Sequence, residues 1–315
     1  MLQNKKSNTI NRYSWRNWFI YIVLMLLIIT FSLLNKSFFS LTNFGVIGRQ
    51  TAMVSLIAFG MTFVITAAQI DLSVGSIVGL VGVMATLSLH WGLGLLGASV
   101  VGILTGTLIG FTNGLITTKL KIPSFLVTLG MLGIARGISL TVTGTRTVVV
   151  YNEAFPLLWG AGDIYGFPVS ILWVFLFFII AIVLYNHTTF GNYVKATGGN
   201  KLAAKFSGIN TDRIIIKVLT LSGFLSSISG LLMAARLAAG RPEVGSGMEL
   251  DAIAAVILGG TSLFGGKGSI VNTLIGVLIM GIISNGLVIL GLEASIQMIV
   301  KGIIIVAAVS MSEKS

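Results

Sequence analysis

The chain contains no cysteine in its 315 residues, which excludes disulfide staples, thiolate catalysis and a cysteine-bound zinc. Charge is almost as scarce. Asp, Glu, Lys and Arg together make up 9% of the residues, against about 25% in an ordinary soluble domain. The two histidines, His90 and His187, are far apart, no His-Glu-x-x-His run exists, and no paired acids recur at helical spacing inside the apolar stretches. A metal hydrolase or an acid–base enzyme therefore has no support, and no catalytic or metal-binding residue is assigned. Also absent are the ten-residue segments of alternating polarity from which a transmembrane β-barrel is built.

What is present is apolar bulk: 55% of the residues are hydrophobic and the mean hydropathy is +1.00. Uncharged runs such as Gln50 to Ile70, Leu72 to Thr118, Ile164 to Val194 and Gly268 to Leu292 are as long as, or longer than, the roughly 20 residues a helix needs to cross the hydrocarbon. The fold expected is an all-α integral membrane protein whose 39 glycines and 4 prolines pack or break helices within a bundle. The net charge of +11 is explained by the positive-inside bias of membrane proteins, with lipid as the partner. No basic stripe with interleaved aromatics points to nucleic acid.

About ten spans fit, near 17–35, 48–69, 72–90, 92–117, 124–143, 166–187, 214–237, 249–264, 268–292 and 295–312. They form one transmembrane domain, 17–312, between a cytoplasmic segment 1–16 and a cytoplasmic end 313–315. The first run is too long for a signal-peptide core and lacks a small-residue cleavage site, so it reads as a retained span. With both termini cytoplasmic, the inner segments hold Lys5, Lys6, Arg12, Arg16, Lys119, Lys121, Lys195, Lys201, Lys205, Arg213, Lys217, Lys267 and Lys314. The outer ones hold only Lys36, Arg49, Arg146, Arg236 and Arg241, which supports that orientation. Arg136 and Lys301 fall in outer halves of spans and are expected to snorkel. Glu249 to Phe264 is short and either spans or re-enters.

Gly102, Gly106 and Gly110, like Gly75 and Gly79, recur every four residues and predict close backbone packing. Thr107-Leu108-Ile109-Gly110 with Asn113-Gly114-Leu115 resembles Thr273-Leu274-Ile275-Gly276 with Asn285-Gly286-Leu287. The two copies would run oppositely, a candidate inverted repeat.

The cytoplasmic loop, about 188–212, is the most informative stretch. Gly198 and Gly199 interrupt the preceding structure, Asn200 can cap a new helix, and Gly208 suits the position past its end, predicting a helix over Lys201 to Ser207. Leu202 and Phe206 share one face, while Lys201 and Lys205 point elsewhere. Such an apolar knob suits either a headgroup-lying surface helix or insertion into a partner's cleft.

Asp71 and Ser73 sit between two apolar spans, and each either caps the third span or faces the solute path. Glu249 and Asp251 read as a capping pair. Asn113, Thr128 and Asn285 either bond between helices or line that path. Gly259 to Gly268 only superficially resembles a phosphate cradle, since Lys267 is followed by Gly268 and no GxxxxGK[ST] pattern is completed.

The loop segment GNYVKATGGNKLAAKFSGIN at Gly191 to Asn210 joins four other motifs: IDLSVGS at Ile70 to Ser76, IPSFLVTLG at Ile122 to Gly130, ELDAIAAVILGGTSLFGGKG at Glu249 to Gly268, and QMIVKG at Gln297 to Gly302. In this order they resemble the permease subunits of ribose-type ATP-binding-cassette importers, over nearly the whole chain. The resemblance implies a multi-pass protein of the bacterial inner membrane that moves a small sugar by alternating access. It further implies two permease copies over two partner ATPases, fed by an extracytoplasmic sugar-binding protein. ATP and magnesium would bind the partner, leaving this chain without a cofactor.

The resemblance makes Asn200, Lys201, Leu202, Ala203, Ala204, Lys205, Phe206, Ser207 and Gly208 the segment that docks into the ATPase. Family members usually carry glycine before the Ile-Asp-Leu-Ser run, whereas this chain has Gln69, which joins Asp71, Ser73, Asn113, Thr128 and Asn285 as substrate-path candidates. The alternative is an ion-coupled secondary transporter, suggested by the repeat and by a buried Asp71.

Overall fold

The computed structural model describes residues 20–310 except Ala161, Tyr165 and Gly166. Lys5, Lys6, Arg12, Arg16 and Lys314, and with them the segments 1–16 and 313–315, lie outside the described residues. Within them the chain is almost wholly helical: α1 Ile20–Leu34, α2 Leu41–Thr66, α3 Val74–His90, α4 Gly94–Lys119 and α5 Ser124–Thr143. Then follow α6 Ala154–Trp159, α7 Val169–Asn186, α8 Thr189–Gly199, α9 Lys201–Phe206 and α10 Thr211–Leu237. The last are α11 Met248–Leu258, α12 Ile270–Ile289 and α13 Ala294–Ser310.

Six of these, α2, α4, α5, α7, α10 and α12, are long and apolar enough to cross a membrane. This is a multi-pass membrane protein. Each of the ten expected segments contains a helix, yet α1, α3 and the apolar part of α13 are shorter than that criterion. The eleven residues of α11 reach only about 16 Å at 1.5 Å per residue, against a hydrocarbon core of about 30 Å.

The expected helix starts are set by side chains. Oxygens of Ser40, Thr188, Asn200, Asn210 and Ser269 accept from backbone N–H groups three residues on, capping α2, α8, α9, α10 and α12. Pro123 and Pro168 stand extended just before α5 and α7, where the missing N–H costs nothing.

Helix α10 runs through the middle of the bundle, against α4, α2 and α3. Its serines at 222, 226, 227 and 229 are buried, so protein rather than lipid meets this polar face. The glycines of α4 are why α4 approaches α10 so closely. A methyl group at Gly110 would lie 3.0 Å from the Cα of Gly223, and one at Gly106 would lie 2.6 Å from the Gly223 carbonyl. The four-residue spacing of Gly102, Gly106 and Gly110 thus marks a helix contact, as expected. The repeated segments fall on α4 and α12, but their asparagines meet different partners: Asn113 bonds Ser73 and Asn285 bonds Asn43.

One end of the bundle carries α8 and α9. The other carries two short antiparallel ribbons, β1 Val148–Val149 with β4 Ala239–Gly240 and β2 Asp163–Ile164 with β3 Phe167–Pro168. There His90 Nε2 lies 2.8 Å from the Val149 carbonyl, and Arg49 pairs with Asp163 at 2.9 Å.

Candidate functional site

Two non-helical stretches among the described residues bear on the candidate site. The first is the break between α2 and α3, residues 67–73. Its backbone cannot satisfy itself, and α5 supplies the missing partners: Ser124 Oγ accepts from the Ile70 N–H at 3.1 Å, and Thr128 Oγ1 accepts from the Leu72 N–H at 3.0 Å. Such irregular backbone inside a membrane bundle is tolerated because protein encloses it.

Asp71 is wholly buried and accepts three hydrogen bonds. Ser73 donates its N–H at 3.0 Å and its hydroxyl at 2.6 Å to Oδ1, and Ser222 of α10 donates to Oδ2 at 2.9 Å. Asn113 of α4 donates in turn to Ser73 Oγ at 3.0 Å. Every donor in this chain points towards the carboxylate. Hydroxyl and backbone donors thus satisfy both carboxyl oxygens where no cation stands beside them among the described residues. The acceptor Oδ1 of Asn113 is left buried without a partner among the described residues.

Asp71, Ser73, Asn113 and Thr128 are therefore brought together, with their side chains sealed inside. Ser73 occupies the N-cap position of α3 but makes no side-chain cap bond, and Asp71 does not cap either. They knot α3, α4 and α10 together instead. Gln69 folds its amide onto the carbonyls of Ala67 and Ala68. Asn285 lies elsewhere, in a reciprocal amide pair with Asn43 at the start of α2, both bonds 3.0 Å.

The second irregular stretch is residues 241–247, between β4 and α11. It does not stay at the ribbon end. Its carbonyls at Pro242, Val244 and Gly245 lie against Gly79 and Gly75 of α3, where a side chain would collide with them. Gly75 stands fifteen residues before His90, about 22 Å down the helix axis. The segment thus reaches mid-depth at Gly79 and passes below it at Gly75 before α11 begins.

Arg136 of α5 donates to the Pro242 carbonyl at 2.5 Å and to that of Val244 at 3.1 Å. The expectation that Arg136 snorkels is corrected: re-entrant carbonyls need a donor at that depth, and the guanidinium supplies it. Lys301 likewise does not snorkel but pairs with Asp251 at 2.9 Å, both partly buried. Asp251 is therefore an ion-pair partner rather than a cap, while Glu249 Oε1 accepts from the Gly247 N–H at 3.2 Å and does close the start of α11.

At the α8–α9 end, Asn200 Oδ1 accepts from the Ala203 N–H at 2.9 Å, and Gly208 takes φ +84° just past α9. The helix is where the sequence put it, ending at Phe206 with Ser207 as its C-cap. Ala204 faces inward, while Leu202 is 69% exposed and Phe206 90% exposed. The apolar knob does not rest on its own bundle. Gly198 and Gly199 form the last turn of α8 rather than a gap before it, because Gly198 packs on the Thr66 carbonyl that ends α2. The same carbonyl accepts from the Gly266 N–H at 2.8 Å.

The family of branched-chain amino acid transport system permease components matches residues 43–309. The chain is 41% identical over 292 residues to the ribose import permease protein of Haemophilus influenzae, covering 92% of this chain and 90% of that one. It is 41% identical to the ribose import permease protein of Bacillus subtilis, over 92% of this chain and 91% of that one. To the D-allose transport system permease protein of Escherichia coli it is 36% identical, over 94% and 91%. This chain belongs to that permease family. No solved structure matches it.

A permease is a transport component rather than an enzyme, in keeping with the lack of any catalytic constellation in the sequence. The descent of 241–247 was not expected from the sequence, in which Arg241 counted only as a basic residue of an outer segment. The only signals were the run Gly245-Ser246-Gly247 and the two acids behind it.

Proposed function

We propose that this permease is the membrane-spanning subunit of an ATP-driven importer that brings ribose into the cytoplasm. Two copies would stand over two ATP-hydrolysing partners, which carry the ATP and magnesium, and an extracytoplasmic binding protein would deliver the sugar. Ribose is supported by the relatives, several of which are named as ribose import permeases. They give the ion-coupled alternative no support.

The observation that carries the drive mechanism is the exposed apolar tip of α9. Burying Leu202 and Phe206 in a partner's cleft removes apolar surface from water, and Lys201 and Lys205 form a basic rim around it. With that end cytoplasmic, both termini are cytoplasmic as well, which fits the thirteen-to-five division of basic residues. In the present conformation Asp71, Ser73, Asn113 and Thr128 clamp the break near that end shut. Inward opening would part α3 from α4 and α10 there, exposing these groups to the solute.

Phe206→Asp places a charge where the cleft needs an apolar ring. Co-purification with the ATPase should weaken by on the order of a hundredfold, as for a truncated interface hot spot, and ATP-dependent ribose uptake by proteoliposomes should stop. Normal uptake by this variant would remove the docking role from α9.

A further inference from the structure

The stretch 241–247 presents a difficulty that lipid cannot resolve. It lies at mid-depth, held by Arg136 and by the glycine face of α3, yet its outer side is open: Glu243 and Ser246 are exposed, as is Leu250 at the start of α11. Glu243 makes no hydrogen bond or ion pair among the described residues, although it lies close enough to Arg136 to feel its charge, together with Glu249. Open irregular backbone and an unpaired carboxylate do not face hydrocarbon. They are tolerated at that depth only against protein or water.

We propose that Glu243 and Ser246 are solute-contacting residues on a water-filled path that the re-entrant stretch lines. The inference rests on the importer reading above, and it adds the place and chemistry of contact. A carboxylate and a hydroxyl beside exposed backbone carbonyls offer acceptors to a neutral, hydroxyl-rich solute. The same acceptors repel anions, so phosphorylated sugars are excluded by charge. Arg136 donates Nη1 to the carbonyls of Pro242 and Val244 and is a positioning residue, holding the stretch at its depth.

The absence of cysteine from the chain makes the test direct. Glu243→Cys and Ser246→Cys are made singly in the assembled importer in lipid vesicles, with Leu108→Cys on the lipid-facing side of α4 as the depth control. A hydrophilic methanethiosulfonate reagent is attacked only by the thiolate, which displaces methanesulfinate to form the mixed disulfide and needs water to form. Both test positions should react at least about tenfold faster than the control, and ribose delivered by the binding protein with ATP should slow the reaction. Glu243→Gln, an exposed substitution that leaves the fold intact, should lower ribose moved per ATP hydrolysed by about tenfold, the worth of a charge-assisted contact.

Positions 243 and 246 as inert as position 108 would overturn the path. So would reaction unaffected by ribose together with unchanged transport by Glu243→Gln. Should both cysteines react while the wild-type assembly shows no ATP-dependent ribose uptake, the importer reading fails and solute contact with it, leaving only a water-lined face.

Discussion

A single carboxylate, Asp71, bears on the arrangement of three helices. It is wholly buried and collects donors from Ser73 and Ser222, and through Ser73 it fixes Asn113. Asp71→Ala strands those donors in a dry site, and each unsatisfied group costs about 1–3 kcal/mol. Asn113→Ala removes one bond to a hydroxyl, and its other amide atom is already unpartnered, so it should cost about 1 kcal/mol or less. Thermal unfolding in detergent should rank Asp71→Ala well below Asn113→Ala, and equal losses would mean that Asp71 is not the centre of the knot. The sequence made Asp71, Ser73, Asn113 and Thr128 candidates by polarity alone. That they would meet, and Asn285 would not, was invisible, because the distance from 71 to 222 along the chain says nothing of contact.

Elements that depend on local rules were legible and those that depend on contact were not. Helix α9 follows from an asparagine cap and a terminal glycine eight residues on, and so it appears where expected. The apolar runs gave the long spans because length and hydropathy decide them. The descent of 241–247 depends on the bare faces of Gly75 and Gly79, whose four-residue spacing announces a close contact without saying that the partner is extended chain instead of a helix.

The joint at Gly198 is of the same kind. Its Cα face meets the Thr66 carbonyl, which also accepts from Gly266, while Tyr185 Oη sits 3.1 Å from Thr66 Oγ1. A rigid seat here ties α8 and α9 to the end of α2, just before the broken segment. Gly198→Ala must push these backbones apart and should cost about 1–3 kcal/mol, as overpacking does. Asn200→Ala removes only a cap, for about 1 kcal/mol. Melting temperatures of the two variants should fall in that order, and a Gly198→Ala protein as stable as wild type would show the seat to be loose.

Taken whole, the permease has one face that does not suit a lone molecule in lipid. The buried serines of α10 and the knot around Asp71 are enclosed by its own helices, and the flank of α4 is covered with Leu104, Leu108 and Phe111, exposed but apolar. Along the re-entrant stretch the surface is instead polar at mid-depth, with Glu243 and Ser246 open. A charge at the bilayer centre costs at least about 2.5 kcal/mol even on the most lenient scale, and open backbone adds to it. A second copy with the same face turned inward removes that cost from both chains at once, since a symmetric pair can enclose water between like surfaces. Two differently tagged copies, expressed together and extracted in mild detergent, should therefore purify as one species. A Leu108→Glu variant, which charges the lipid-facing flank, should insert poorly, whereas Ser246→Glu, on the shared watery face, should insert and pair as before. If the tagged copies never associate and Ser246→Glu is excluded from the membrane as strongly as Leu108→Glu, that face meets lipid after all and the paired architecture falls.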